Sequence, residues 1–217
     1  MTPIAIAWDI DGTLLDSEPL HYQALLTACE QWDVDMSDIT LETFCGIHIV
    51  DVWTALQPRM PASLTPQEWR RSIHDHYIAK RHTLQQIEGA VRCIRQLKAM
   101  GVRQVCVSNS SRSAVDANLE TLGVLDCIEF SISLDDVSAG KPSPEPYTLA
   151  CQRLGLPPER VMAIEDSFTG ATSARAAGLC VALYDPLAGK AFQADLYLEK
   201  LGELMERFRA AEKTAGL

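Results

Sequence analysis

Gly101-Val102-Arg103-Gln104-Val105-Cys106-Val107-Ser108-Asn109 decides the fold: a glycine that closes a helix, a short strand, and polar residues just beyond the strand's end. Glycine takes up the left-handed backbone that follows a helix end more readily than residues carrying a Cβ. The same succession recurs along the second half of the chain. Gly123 precedes a stretch reaching Ile128–Ile132, Gly155 precedes Val161–Ile164, and Gly178 precedes Leu179–Leu183. Strands apolar at consecutive positions are covered on both faces, as in a parallel sheet between helices. Helices alternating with such strands predict an α/β domain, doubly wound and Rossmann-like.

Upstream, Ile4–Trp8 reads as the first strand of that sheet, yet the next helix of the pattern starts only near Glu88. Roughly seventy residues intervene, far more than a βα connection needs. They carry their own helix signals. Thr65-Pro66-Gln67-Glu68 offers Thr as N-cap, Pro at the first helical position and Glu at the third, with Trp69, Ile73 and Tyr77 following at helical spacing. Ser17-Glu18-Pro19 opens another helix through Leu20, Ala24 and Ala28. The expected organisation is therefore a core of residues 1–15 and 87–217 with a helical cap, residues 16–86, inserted after the first strand. Glu199 to Glu212 reads as a closing amphipathic helix.

Composition narrows the function classes. The 217 residues are 47% hydrophobic and 22% charged, as in ordinary globular proteins. The longest apolar runs, Ile4 to Trp8 and Leu179 to Tyr184, are too short to cross a bilayer, and the N-terminus lacks a signal-like segment. A formal charge of −10 disfavours nucleic acid as a partner, since that binding depends on clustered Lys and Arg. It does not disfavour a small anionic substrate, because local positive groups can dominate a cleft. The seven cysteines stand singly with no C-x-x-C pair, so they read as small buried hydrophobes in a reducing compartment. A cytoplasmic enzyme acting on a small molecule is expected.

Four polar clusters fall at the carboxyl ends of the expected strands, where open parallel sheets bind ligands. They are Asp9-Ile10-Asp11-Gly12-Thr13, Ser108-Asn109-Ser110, Lys141 and Glu165-Asp166. A carboxylate at a strand end can attack phosphorus if a cation offsets the repulsion between two anions. Mg²⁺ suits a few carboxylates plus phosphate and water, and Asp166 can complete such a shell with Asp9. Asp11 is then placed as acid for a leaving alcohol and base for a hydrolytic water. Asp-x-Asp-Gly by itself would be a turn; the three companion clusters tip the reading toward a site. Ser108 and Asn109, between a strand and a helix, offer an anion cradle, although Ser110 or Ser111 also suits ordinary capping. Lys141, held extended by Pro142, can neutralise both the phosphate and the nucleophile. Glu165 reads as a supporting carboxylate behind the metal ligand Asp166.

These motifs resemble, in order and spacing, those of the haloacid dehalogenase superfamily, in the branch with a helical cap after the first strand. Asp9-Ile10-Asp11-Gly12-Thr13-Leu14-Leu15-Asp16-Ser17-Glu18 is similar to its first motif and Val107-Ser108-Asn109 to its second. Gly140-Lys141-Pro142 with Pro144 and Tyr147 is similar to the third, and Glu165-Asp166-Ser167 with Gly170, Ala174, Ala177 and Gly178 to the fourth. The resemblance implies Asp9 as nucleophile through an aspartyl-phosphate and Asp11 as acid/base. It also implies Mg²⁺ on Asp9, the Asp11 carbonyl and Asp166, and phosphate on Ser108, Asn109 and Lys141. Dehalogenases and phosphonate hydrolases of the superfamily lack the second aspartate, so Asp11 points away from both.

The chain also resembles β-phosphoglucomutase, whose hinge histidine has a counterpart in His21. The mutase's cap carries a Gly-x-Ser-Arg stretch that grips a second phosphate, whereas this chain has Gly46-Ile47-His48-Ile49. Without that arginine, hydrolysis of a small phosphomonoester such as a sugar phosphate is expected over phosphoryl migration. His21, Cys45, His48 and Trp53 are the candidates to face a leaving group, and His74-Asp75-His76 reads as solvated or partly packed histidines on a helix rather than a metal pair.

Overall fold

The computed structural model describes residues 3–44, 47, 49–184 and 193–215. The chain opens with strand β1 (Ala5–Trp8) and short strand β2 (Leu15–Asp16), then helices α1 (Glu18–Glu30), α2 (Leu41–Phe44), α3 (Ile49–Leu56) and α4 (Pro66–Lys80). Short strand β3 (Gln85–Gln86) and helix α5 (Ala90–Ala99) lead into β4 (Arg103–Val107), α6 (Arg112–Leu122) and β5 (Ser131–Ile132). The remainder is α7 (Glu145–Leu154), β6 (Val161–Glu165), α8 (Phe168–Ala176), β7 (Cys180–Tyr184), β8 (Leu196–Leu198) and α9 (Gly202–Ala215). Chain contacts divide it into two compact units, Met1–Asp16 with Gln86–Leu217, and Ser17–Gln85.

In the first unit six strands form a sheet in the order β5-β4-β1-β6-β7-β8, parallel throughout. From β1 the chain builds outward through β4 and β5, then returns to build the other side through β6, β7 and β8. The order therefore reverses at β1 and β6, which is where open α/β sheets bind ligands. The four helix-ending glycines, at 101, 123, 155 and 178, all have positive φ.

Strand parity decides which residues meet which helices. Ala5, Ala7, Val105, Val107, Val161, Ala163, Val181 and Leu183 share one core with Tyr147, Ala150 and Leu154 of α7 and Ala171 and Ala174 of α8. The buried polar pair of the sheet is satisfied internally: Trp8 Nε1 donates to Gln104 Oε1 at 3.0 Å, and Gln104 Nε2 to the Ile94 carbonyl at 3.0 Å.

Two expectations shift. The strand foreseen over Ile128–Ile132 is regular only at Ser131–Ile132, because Leu125–Cys127 coils into a 3-10 turn first. Glu129 N and Cys106 N still bond across to and from β4 (2.8 Å to the Gln104 carbonyl and 3.2 Å to the Phe130 carbonyl), the irregular ladder of an edge strand. The closing helix begins at Gly202 rather than Glu199, and β8, at the opposite edge, was not foreseen.

The second unit packs α1 against α4 over its own core of Leu25, Cys29, Val34, Val52, Leu56, Leu64 and Trp69. The foreseen start of α4 is a full capping box: Thr65 accepts from Glu68 N, and Glu68 accepts from Thr65 N at 3.0 Å. Six cysteines among the described residues are free thiols, five of them buried. No helix among the described residues is long and apolar enough to cross a membrane.

Candidate active site

Asp9 lies one residue past β1 and keeps the strand's bonding, its N–H donating to the Ile164 carbonyl at 2.9 Å. It continues the face of Ala5 and Ala7, so its side chain falls on the α7 side of the sheet. Glu165, ending β6, continues the face of Val161 and Ala163 in the same way. The register pairs Trp8 with Ile164 and Cys106, which sets Asp9 level with Glu165 and Val107. Lys141 reaches these groups from the segment before α7. Its Nζ donates to Asp9 Oδ1 at 2.5 Å, Glu165 Oε1 at 2.6 Å and the Val107 carbonyl at 2.8 Å, so all three ammonium protons have acceptors. The lysine side chain is 4% exposed. Burial pulls its ammonium down, but the Asp9 and Glu165 carboxylates more than reverse this and hold it protonated.

Two glycines make room for the acids at the end of β6, Glu165 and Asp166. At Gly12, with φ +86°, a Cβ would stand 2.1 Å from Asp166 Oδ2. At Gly170 a Cβ would stand 1.9 Å from Glu165 Oε2. Ser167 caps α8, accepting from Gly170 N at 3.0 Å, and the glycine serves close approach. Asp166 Oδ1 accepts from Thr13 Oγ1 at 3.1 Å. Burial first, and then the Glu165 charge, raise the Asp166 carboxyl to about 7. Glu165 is fully buried and also accepts from the Tyr147 hydroxyl.

Asp11 points toward the second motif. Its Oδ2 accepts from Ser108 Oγ at 3.0 Å and Ser110 Oγ at 2.9 Å, and Asn118 Nδ2 lies 3.4 Å from its Oδ1. Ser108, foreseen as a phosphate ligand, is thus turned to the foreseen acid/base in this state. Asn109 faces Lys141. Its Oδ1 accepts from Lys141 N at 2.7 Å and its Nδ2 donates to the Lys141 carbonyl at 3.0 Å, so both ends of its side-chain amide hold the lysine's main chain. Of the foreseen helix caps, Ser111 serves α6, accepting from Ala114 N.

Asp9, Glu165 and Asp166 each offer an oxygen within 4.8 Å of one another, and Asp9 Oδ2 is buried with no partner. Burial first, with the charges of Glu165, Asp166 and Asp11 added, pushes the Asp9 carboxyl well above its ordinary value against the pull of Lys141. Three carboxylates around one ammonium leave an excess of negative charge that a divalent cation fits, and the all-oxygen donor set suits a hard ion.

The foreseen residues of the first unit therefore converge on one place. His21 belongs to the second unit, where its ring stacks on Tyr77 at 4.3 Å; His48 and Cys45 lie outside the described residues. His76 is bonded to Gln31 at 2.7 Å, in keeping with a helix-surface reading of the His74-Asp75-His76 run. The contacts of Thr13, Ser110, Asn118 and the Tyr147 hydroxyl were not foreseen, Ser110 having been read as a possible helix cap. A polar position within the clusters at the strand ends was the available signal for Ser110 and Thr13; nothing local marked Asn118, which α6 alone carries to Asp11.

The sequence profile described as a hydrolase, haloacid dehalogenase-like hydrolase, matches residues 5–178. Validoxylamine A 7'-phosphate phosphatase of Streptomyces hygroscopicus subsp. limoneus is 30% identical over 91% of this chain and 93% of its own length. The phosphorylated carbohydrates phosphatase of Thermotoga maritima is 24% identical over 81% and 82%. CbbY from Rhodobacter sphaeroides, solved in complex with phosphate, superposes with a TM-score of 0.83 at 26% identity, covering 94% of this chain and 96% of that one.

Proposed function

The chain belongs to the haloacid dehalogenase-like hydrolase family, and we propose that it is a Mg²⁺-dependent phosphatase that hydrolyses a small phosphomonoester through a phosphorylated Asp9. The observation that carries this reading is the Lys141 ammonium shared between Asp9 and Glu165, beside the unpartnered Asp9 Oδ2 and the Asp166 carboxylate. The family and the phosphatases among its relatives together make the enzyme a phosphoric monoester hydrolase, which supports the same chemistry.

Asp9, Asp166 and the Asp11 carbonyl would hold the ion, which supplies charge neutralisation for the phosphoryl oxygens when bound. Lys141 lowers the repulsion between Asp9 and an incoming phosphate, and Asn109 keeps the lysine's backbone in place. Asp9 attacks phosphorus; the bond to the leaving oxygen breaks, and Asp11 gives that oxygen its proton. Asp11 then takes a proton from water, which attacks the aspartyl-phosphate and regenerates Asp9 with release of phosphate. For these steps Asp11 leaves its Ser108 and Ser110 contacts, freeing the Ser108 hydroxyl for the phosphate. Specificity for the leaving group is assigned to the inserted helical segment, residues 16–86, with His21 and His48 as candidate determinants.

A sugar phosphate or related metabolite is the proposed substrate, in line with relatives named for phosphorylated carbohydrates and validoxylamine A 7'-phosphate. The alternative, a β-phosphoglucomutase-like phosphomutase, loses ground at Ile49, an apolar residue of α3 where the mutase holds an arginine for a second phosphate. A phosphomonoester panel read for both inorganic phosphate and regioisomeric sugar phosphate separates the two. Asp9→Asn is expected to abolish phosphate release while the protein stays folded; substantial residual turnover would reject the covalent route.

A further inference from the structure

Lys141 and Glu165 form a buried ion pair whose position decides how much of the lysine's charge reaches Asp9, and one further side chain touches both partners. Tyr147, on the first turn of α7, is fully buried. Its hydroxyl donates to Glu165 Oε1, the same oxygen that accepts from Lys141 Nζ. Its ring centroid lies 5.3 Å from that Nζ, within cation–π range. We propose that Tyr147 is a positioning residue for the phosphoryl-transfer step, holding Glu165 so that Lys141 stays shared with Asp9.

The physical reason is competition for one cation. Lys141 has three protons and three acceptors, two of them anionic, and the stronger anion draws it away from the weaker. A hydroxyl donated to Glu165 Oε1 satisfies part of that carboxylate's demand and weakens its hold on the ammonium. Gly170 limits the alternatives, because it lets Glu165 Oε2 sit where a Cβ would otherwise be 1.9 Å away. Tyr147 and Gly170 thus fix one carboxylate from two sides. Loss of the hydroxyl lets Lys141 settle toward Glu165 and leaves the nucleophile less neutralised as phosphorus approaches.

The inference rests on the proposed roles of Asp9 and Lys141, so its test is built as a cycle around Glu165. kcat, KM and Tm are measured for the wild type, Tyr147→Phe, Glu165→Gln and the double variant, on a phosphomonoester that the wild type hydrolyses. Phe keeps the ring and the packing and removes only the hydroxyl. Tyr147→Phe is expected to lower kcat about tenfold with KM within about threefold, the mark of an interaction realised in the transition state. In the Glu165→Gln background the same change is expected to alter kcat by less than about twofold, because the charge it moderates is gone. A kcat for Tyr147→Phe within about twofold of wild type overturns the proposal, and so does an equal fall in both backgrounds, which would mark a packing role. If Glu165→Gln does not fold, the kcat and KM of Tyr147→Phe decide alone. Turnover surviving in Asp9→Asn would instead defeat the underlying functional reading, so the two failures are distinguishable.

Discussion

Single positions govern this site through contacts that their own side chains do not advertise. Gly12 is the clearest case, because its function is an absence: Asp166 Oδ2 occupies the space a Cβ would need, and the backbone there has φ +86°. Gly12→Ala is therefore expected to displace Asp166 and to lower kcat on the order of a hundredfold, the scale of an ångström-level misplacement. The same variant should lose about 1–2 kcal/mol of stability from the left-handed backbone. Steady-state rates beside urea unfolding test both, and a variant within about threefold of wild-type kcat would show that Asp166 can shift without cost. Asn109 carries a complementary lesson. Its residue type fits a phosphate cradle, yet both ends of its amide hold the Lys141 main chain. A motif letter identifies a residue's neighbourhood; the partner of each atom is settled by geometry.

Elements differ in how far local sequence can build them. Helix α4 is specified by its own first turn, where Thr65 and Glu68 satisfy each other's backbone groups and Pro66 fits the first helical position. Thr65→Ala is expected to cost about 1 kcal/mol, read as a lower urea midpoint for the unfolding of Ser17–Gln85. No measurable change would mean that packing on α1 alone holds the helix. Strands β5 and β8 sit at the other extreme. Each occupies an edge of the sheet with one neighbouring strand, and each is only two or three residues of regular structure. Their extent depends on how the ladder with that neighbour runs, which is why Ile128–Ile132 reads as one strand in sequence and as a turn plus a short strand in three dimensions. β8 is only three residues long, so periodicity gives it little to register.

At the scale of the molecule, the acids of β1 and β6 are brought together by the reversal of strand order, and a bound cation would act as a cross-link that only the folded chain provides. Mg²⁺ is thus expected to raise Tm, by several degrees when present at about a hundred times its dissociation constant, and Asp166→Asn should remove most of that rise. An equal rise in both proteins would place the ion elsewhere. EDTA should lower turnover in parallel, with Mg²⁺ restoring it. By itself the sequence determined the alternation of helices and strands, the long insertion after β1, and which residues stand at strand ends, because periodicity, capping and glycine stops are local and the reactive motifs are contiguous. Only the tertiary structure decided that Lys141 is divided between Asp9 and Glu165, that Asp11 rests on Ser108 and Ser110, and that Tyr147 touches both members of the buried pair. Those facts join residues from 6 to 132 positions apart along the chain, and no local pattern encodes which atoms of distant segments come within bonding distance.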